Sequence, residues 1–134
     1  MSDKINDDKI SAHWIEMSDK DYKTMLNMFK SKDYHWALFI GHLIIERLLK
    51  ACVMKNKKHH APPTHDLLRL AALAGLEADE EKSDWLDTIT TFNINARYDD
   101  YKKEFYKKCT PAYTTAWIAK IKILRKWIKE TQLK

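Results

Sequence analysis

The stretch Trp36-Ala37-Leu38-Phe39-Ile40-Gly41-His42-Leu43-Ile44-Ile45-Glu46-Arg47-Leu48-Leu49-Lys50-Ala51 decides the fold. Trp36, Ala37, Ile40, Leu43, Ile44, Leu48 and Ala51 recur at helical steps and make a stripe too wide for a surface helix, so this helix belongs at the centre of a bundle. It is expected to begin after Asp33, read as its N-cap, and to run to about Lys55.

Working outward, Trp14, Met17, Tyr22, Met25 and Phe29 repeat through a segment free of Gly and Pro and predict a long helix over about 12–31. Downstream, Asn56 to Thr64 reads as a loop, because Pro62-Pro63 bars helical continuation and Thr64 can cap the next helix. That short helix, His65 to Ala74, should stop at Gly75. The acids of Glu77 to Glu81 then precede a helix whose apolar face is Trp85, Leu86, Ile89, Phe92 and Ala96. After the Arg97 segment, Thr110-Pro111 restarts a last helix. That helix has one stripe of Tyr113, Trp117, Ile121, Leu124 and Ile128, and a second of Ala116, Ile123 and Trp127. Long helices with short connections predict an all-α, antiparallel up-and-down four-helix bundle with an additional short helix, in one domain over residues 1–134. The two-striped last helix and exposed aromatics are expected to leave some apolar surface over, and surface of this kind usually becomes a dimer interface.

Composition agrees with that reading. The 134 residues include only two Gly and three Pro, against 45% apolar and 32% charged residues, which suits helices better than a β-sandwich. The polar start of the chain lacks a secretory apolar run, no apolar run is long enough to span a bilayer, and two cysteines make no disulfide framework, so a cytoplasmic protein is expected. The net charge of +5 is uneven: residues 102–134 hold ten Lys or Arg against two Glu, whereas residues 1–101 hold 14 basic against 17 acidic residues. The basic end, and the acid-free stretch Lys50 to His60, read either as solvated faces or as phosphate contacts.

No glycine-rich phosphate loop is present, which argues against classical nucleotide hydrolysis. His59, His60 and His65 lack the partners of a metal site, so no metal and no cofactor is expected. Glu46 sits among Leu43, Ile44, Ile45, Leu48 and Leu49, where an unpaired charge is costly, so it should face a cation or a cleft. Arg97 is the expected partner, with a Glu46–Lys50 surface pair as the alternative. Asn95-Ala96-Arg97-Tyr98-Asp99-Asp100-Tyr101 places an Arg beside paired carboxylates where a helical pattern ends. It is read first as a charge lock of a buried or half-buried Arg97, and second as an anion site.

Three pieces of the chain, Ile45 to Ala51, Pro63-Thr64-His65-Asp66-Leu67 and Ala96-Arg97-Tyr98-Asp99-Asp100-Tyr101, resemble the HEPN domain family over about residues 12–131. Asp99 stands where the family's Ala-Arg-Tyr-Pro-Asp signature has proline, which should leave that turn less rigid. The resemblance implies a dimerising helical bundle that often works beside a minimal nucleotidyltransferase in a toxin–antitoxin-like pair. Many members are metal-independent RNases using Arg followed after four to six residues by His. No arginine here has a histidine at that spacing, so the family's proton-transfer group is missing. The expectation is a non-catalytic homodimer that binds a nucleotide, or the phosphate of RNA, through Arg97, Tyr98, Lys50, Lys102, Glu46 and His65. The alternatives are a pure interaction module without ligand, its glue the stripe of residues 113–128, and an RNase with another acid–base pair such as His65 with Arg97.

Overall fold

The computed structural model describes residues 2–57 and 60–133, with the side chains of 8–56 and 60–133. All regular elements among them are helices: α1 (Ser2–Lys30), α2 (Tyr34–Lys57), α3 (Leu67–Leu73), α4 (Glu80–Arg97), α5 (Asp99–Lys108) and α6 (Pro111–Gln132). Cross-helix contacts give their directions. Ser11 Oγ donates to the carbonyl of Ala51 (3.0 Å) and Ser18 Oγ to that of Ile44 (2.8 Å), so α1 and α2 are antiparallel. Lys82 lies over Trp127 and Phe92 against Trp117, so α4 and α6 are antiparallel as well. The start of α2, at Phe39, meets the end of α4, at Arg97. The four long helices therefore alternate in direction, as the stripe pattern predicted.

Helix α2 is the hub, touching α1, α3, α4, α5 and α6. Ala37, Leu38, Ile44, Ile45, Leu48, Leu49, Ala51, Cys52 and Val53 are all fully buried. Burial around most of its circumference, with Trp36, Ile40, Leu43 and Arg47 half-buried, explains why its apolar stripe is so wide. Gly41 permits the close approach of α6: a Cβ there would collide with Cδ1 of Ile121.

Several helix ends differ from expectation. Helix α1 starts at Ser2, about ten residues before the predicted boundary. Asp33 occupies the cap position, its carbonyl accepting from Ala37 N–H, but its carboxylate accepts from the Ser31 hydroxyl (2.6 Å) instead of a helix N–H. Thr64 does not cap α3. Asp66 does, accepting from Arg69 N–H, while Thr64 Oγ1 accepts from Asp66 N–H. Gly75 is left-handed (φ 80°), as a helix stop requires. Thr110 caps α6 with Pro111 in its first turn, as predicted.

The unexpected element is α5. Asp99 and Asp100 lie in its first turn and Lys107 and Lys108 in its last, the charge order that complements a helix dipole. Asp99, in the place of the usual proline, is the first residue of this helix, where either proline or an acid is favourable. Phe105 anchors α5 by packing on Phe92 (ring centroids 5.4 Å apart).

Apolar surface is left over on the last helix, as expected, and on other elements too. In the last helix Ala116 and Ile123 of the second stripe are exposed, whereas Trp117 and Trp127 are half-buried. The larger exposed set is Ile94, Tyr98, Tyr101 and Tyr106, on α4 and α5.

Candidate functional site

One face of α2 presents Trp36, Phe39, His42, Glu46 and Lys50 at steps of three or four residues, and two polar neighbourhoods form along it.

The first centres on Glu46, a carboxylate only 5% exposed. Its Oε1 accepts from His65 Nδ1 at 2.6 Å and has His42 Nε2 at 3.5 Å, and its Oε2 accepts from Lys50 Nζ at 3.2 Å. The expected Glu46–Arg97 pair is not formed. Lys50 at i+4 is the partner on its own helix, yet the pair is buried and not on the surface. Lys50 also lies over the Trp14 ring (5.6 Å), which brings α1 into the cluster. His42 Nε2 donates to the carbonyl of His65 (3.2 Å), so the loop before α3 is held at both its backbone and its imidazole. Burial holds the His42 pKa below its ordinary value, and the nearby His65 and Arg97 charges add to that. Glu46 and the His65 carbonyl oppose the shift. His42 Nδ1 is buried with no hydrogen-bond partner among the described residues.

The second neighbourhood lies where α2 begins. Arg97, at the end of α4, is exposed, contrary to the buried or half-buried Arg expected. Its Nε donates to the Asn93 carbonyl (3.0 Å), and its guanidinium lies over Phe39 (5.7 Å) and Tyr98 (5.6 Å). No ion pair joins Arg97 to Asp99, Asp100 or Glu46 among the described residues, so the charge lock is not made. Phe39 packs edge-on against Trp36 (5.8 Å), and Lys102 sits over Trp36 (5.0 Å). A groove of about 550 Å³ opens here between α2 and α5, lined by His35, Trp36, Asp99, Lys102, Lys103 and Tyr106. His35 is buried and its Nδ1 has no hydrogen-bond partner among the described residues. Burial lowers its pKa, with Lys102 acting in the same direction and Asp33 against it.

The six residues singled out in the sequence thus divide into two sets. Glu46, Lys50 and His65 meet at one place, and Arg97, Tyr98 and Lys102 gather at another. Phe39 and Lys50 are eleven residues apart on α2, about 16 Å along the axis, so Lys50 does not line a cleft with Arg97. His65 bonds to Glu46 and not to Arg97, with His42 between the two sets. Sequence reasoning passed over His42, whose i, i+4 spacing from Glu46 was the available signal, and over His35 and Tyr106. Of the acid-free stretch, Lys58, His59 and the side chain of Lys57 lie outside the described residues. Part of the basic surplus of residues 102–134 is already engaged. Arg125 and Lys129 bond to Asp19, and Lys120 lies between Trp85 and Trp117. Among the described residues, no three His, Cys, Asp or Glu side chains form a metal-binding group, and no helix is long and apolar enough to cross a membrane.

In comparison with solved structures, this fold is similar to the crystal structure of TT1696 from Thermus thermophilus, with a TM-score of 0.74 and 18% identity over 90% of this chain and 96% of that one. At that identity the likeness speaks for the fold alone. A search of curated protein sequences returned no significant match. The HEPN domain family matches residues 11–131, nearly the whole of the bundle, and the chain belongs to that family.

Proposed function

We propose that this HEPN-domain protein binds a phosphate-bearing ligand, a nucleotide in the simplest case, at Arg97 and over the aromatic row that leads from it to the groove between α2 and α5, and that it does so without cleaving it. The observation that carries this reading is the state of Arg97. Its guanidinium is exposed, makes no ion pair among the described residues, and is braced by Phe39 and Tyr98 beside an aromatic row that Lys102 also faces. An Arg held in this way has its donor fork open for bidentate contact with phosphate, and the rings offer a stacking surface for a base. Thermal unfolding against nucleoside mono-, di- and triphosphates and short RNA tests it, because a ligand that prefers the native state raises the midpoint. A concentration-dependent rise that disappears in a folded Arg97→Ala or Lys102→Ala variant supports the reading. No rise with any ligand removes it.

A second reading, an interaction surface, is favoured by the exposure of four large side chains, Ile94, Tyr98, Tyr101 and Tyr106, on α4, α5 and the turn between them. Its partners would be a second copy of the chain or the minimal nucleotidyltransferase that the family resemblance implies, as in a toxin–antitoxin-like pair. Light scattering of the wild-type chain and of Tyr101→Lys tests the homodimer. Co-purification with a nucleotidyltransferase encoded beside it tests the other partner. An inert monomer that captures no such enzyme counts against both.

A further inference from the structure

We propose that His65 is a phosphoryl-accepting histidine, with Nε2 as the nucleophile and Glu46 as its positioning residue. This chemistry does not depend on nucleotide binding at Arg97.

The geometry selects the nitrogen. Nδ1 lies 2.6 Å from Glu46 Oε1, and a carboxylate can only accept, so the ring proton sits on Nδ1. In the neutral ring Nε2 then carries the free lone pair. The His65 side chain is 57% exposed and, among the described residues, no protein group bonds to Nε2. This is the arrangement of an activated imidazole: a buried carboxylate fixes the tautomer and the ring orientation, and stabilises positive charge that develops on the ring. The support is rigid. His42 donates to the His65 carbonyl, Asp66 caps α3, and Pro62-Pro63 restrict the backbone just before it.

Exposure decides between roles. Neither groove flanking α5, one of about 550 Å³ and one of about 500 Å³, is lined by His65. A base acting on a small bound substrate is better served by an enclosed site, whereas an oriented imidazole on open surface is accessible to a donor that arrives from solution.

The step is balanced without an extra reactant other than the donor, a high-energy phosphoryl compound such as a phosphoramidate or an acyl phosphate. The Nε2 lone pair forms the N–P bond, and the bond from phosphorus to the leaving group breaks. With phosphoramidate, the nitrogen departs as ammonia with the bonding electron pair. Nδ1 keeps its proton, and Glu46 balances the charge of the ring. Lys50 donates to the other carboxylate oxygen and supplies the counter-charge in the buried position.

The test is treatment of the full chain with potassium phosphoramidate, with site-resolved labelling followed by mass spectrometry and the isomer assigned by phosphorus NMR. His65 should be labelled at Nε2 about tenfold faster than exposed His13, which has no carboxylate partner among the described residues. Glu46→Gln, which preserves shape, should remove that advantage while the His13 rate stays the same. Labelling of His65 no faster than His13, labelling at Nδ1, or an unchanged rate in folded Glu46→Gln overturns the proposal. In that last case the Glu46–His65 bond only pins the loop.

Discussion

Replacing Glu46 by Leu isolates what a buried carboxylate does at the hub of the bundle. Glu46 is 5% exposed and Lys50 is 9% exposed, with their charged atoms 3.2 Å apart. Leucine removes the counter-charge and leaves Lys50 buried with only the Trp14 ring beside it. Breaking a buried pair from one side costs about 3–5 kcal/mol, and the contact of Lys50 with Trp14 is present in both chains and cancels, so a loss of at least about 3 kcal/mol is expected. With an unfolding entropy of roughly 2.1 cal/mol/K per residue, that loss lowers the midpoint by about 10 °C. The double variant Glu46→Leu/Lys50→Met leaves no buried unpaired cation and should recover at least half of the loss, although the bond to His65 is gone in both. Urea unfolding and thermal scans of wild type, both single variants and the double variant supply the cycle. A Glu46→Leu variant within about 1 kcal/mol of wild type, or a double variant no more stable than Glu46→Leu, would refute this reasoning.

Three other outcomes are expected from the packing and the ionisable groups. Gly41→Ala should destabilise by about 1 kcal/mol net in urea unfolding, since overpacking costs about 1–3 kcal/mol and helix propensity returns about 1; adding Ile121→Val, which removes the colliding Cδ1, should restore stability. His42 has its pKa lowered below 6.5 by burial, with His65 and Arg97 adding and Glu46 opposing. Its contribution to stability is therefore complete above the unfolded value and is lost as pH falls toward the folded one. Urea midpoints at about pH 7.5 and about pH 5.5 should differ less in His42→Asn than in wild type, and His35, shifted the same way, accounts for part of the remainder. Burial pushes the thiols of Cys52 and Cys109 up to about 12, so iodoacetamide should modify neither in the native chain and both once urea unfolds it. Rapid native labelling would contradict their burial.

How much of the fold could be read from sequence depended on where the physical signal lies. Helix α2 was readable because residues 36–51 are apolar around most of the helix, and α6 because Thr110-Pro111 marks its start. Helix α5 was not readable from periodicity. Phe105 is its one buried side chain, so no apolar stripe exists, and its signal resides in the charges at its ends. At the site, the cost of burying Glu46 was legible in its neighbours, but its partner was not. His65 arrives from a loop, and no periodicity on α2 predicts which loop residue will reach a buried carboxylate. Arg97 attracted attention because of Asp99 and Asp100, which turned out to serve the dipole of α5 and not the guanidinium.

The placement of Glu46 bears on why the site exists at all. A helix that touches five others is already held by its apolar residues, and a leucine at position 46 beside an apolar residue at position 50 would satisfy packing without desolvating any charge. The polar cluster is therefore not explained by stability of the bundle. It secures the position of the loop before α3: Glu46 takes the ring of His65, and His42 takes its carbonyl. If pinning the loop were the whole purpose, the carbonyl bond and the Asp66 cap would already supply it, with no buried carboxylate. The additional bond fixes the proton on Nδ1 of a ring that stays 57% exposed, which bears on the chemistry proposed for His65 and not on the packing beneath it.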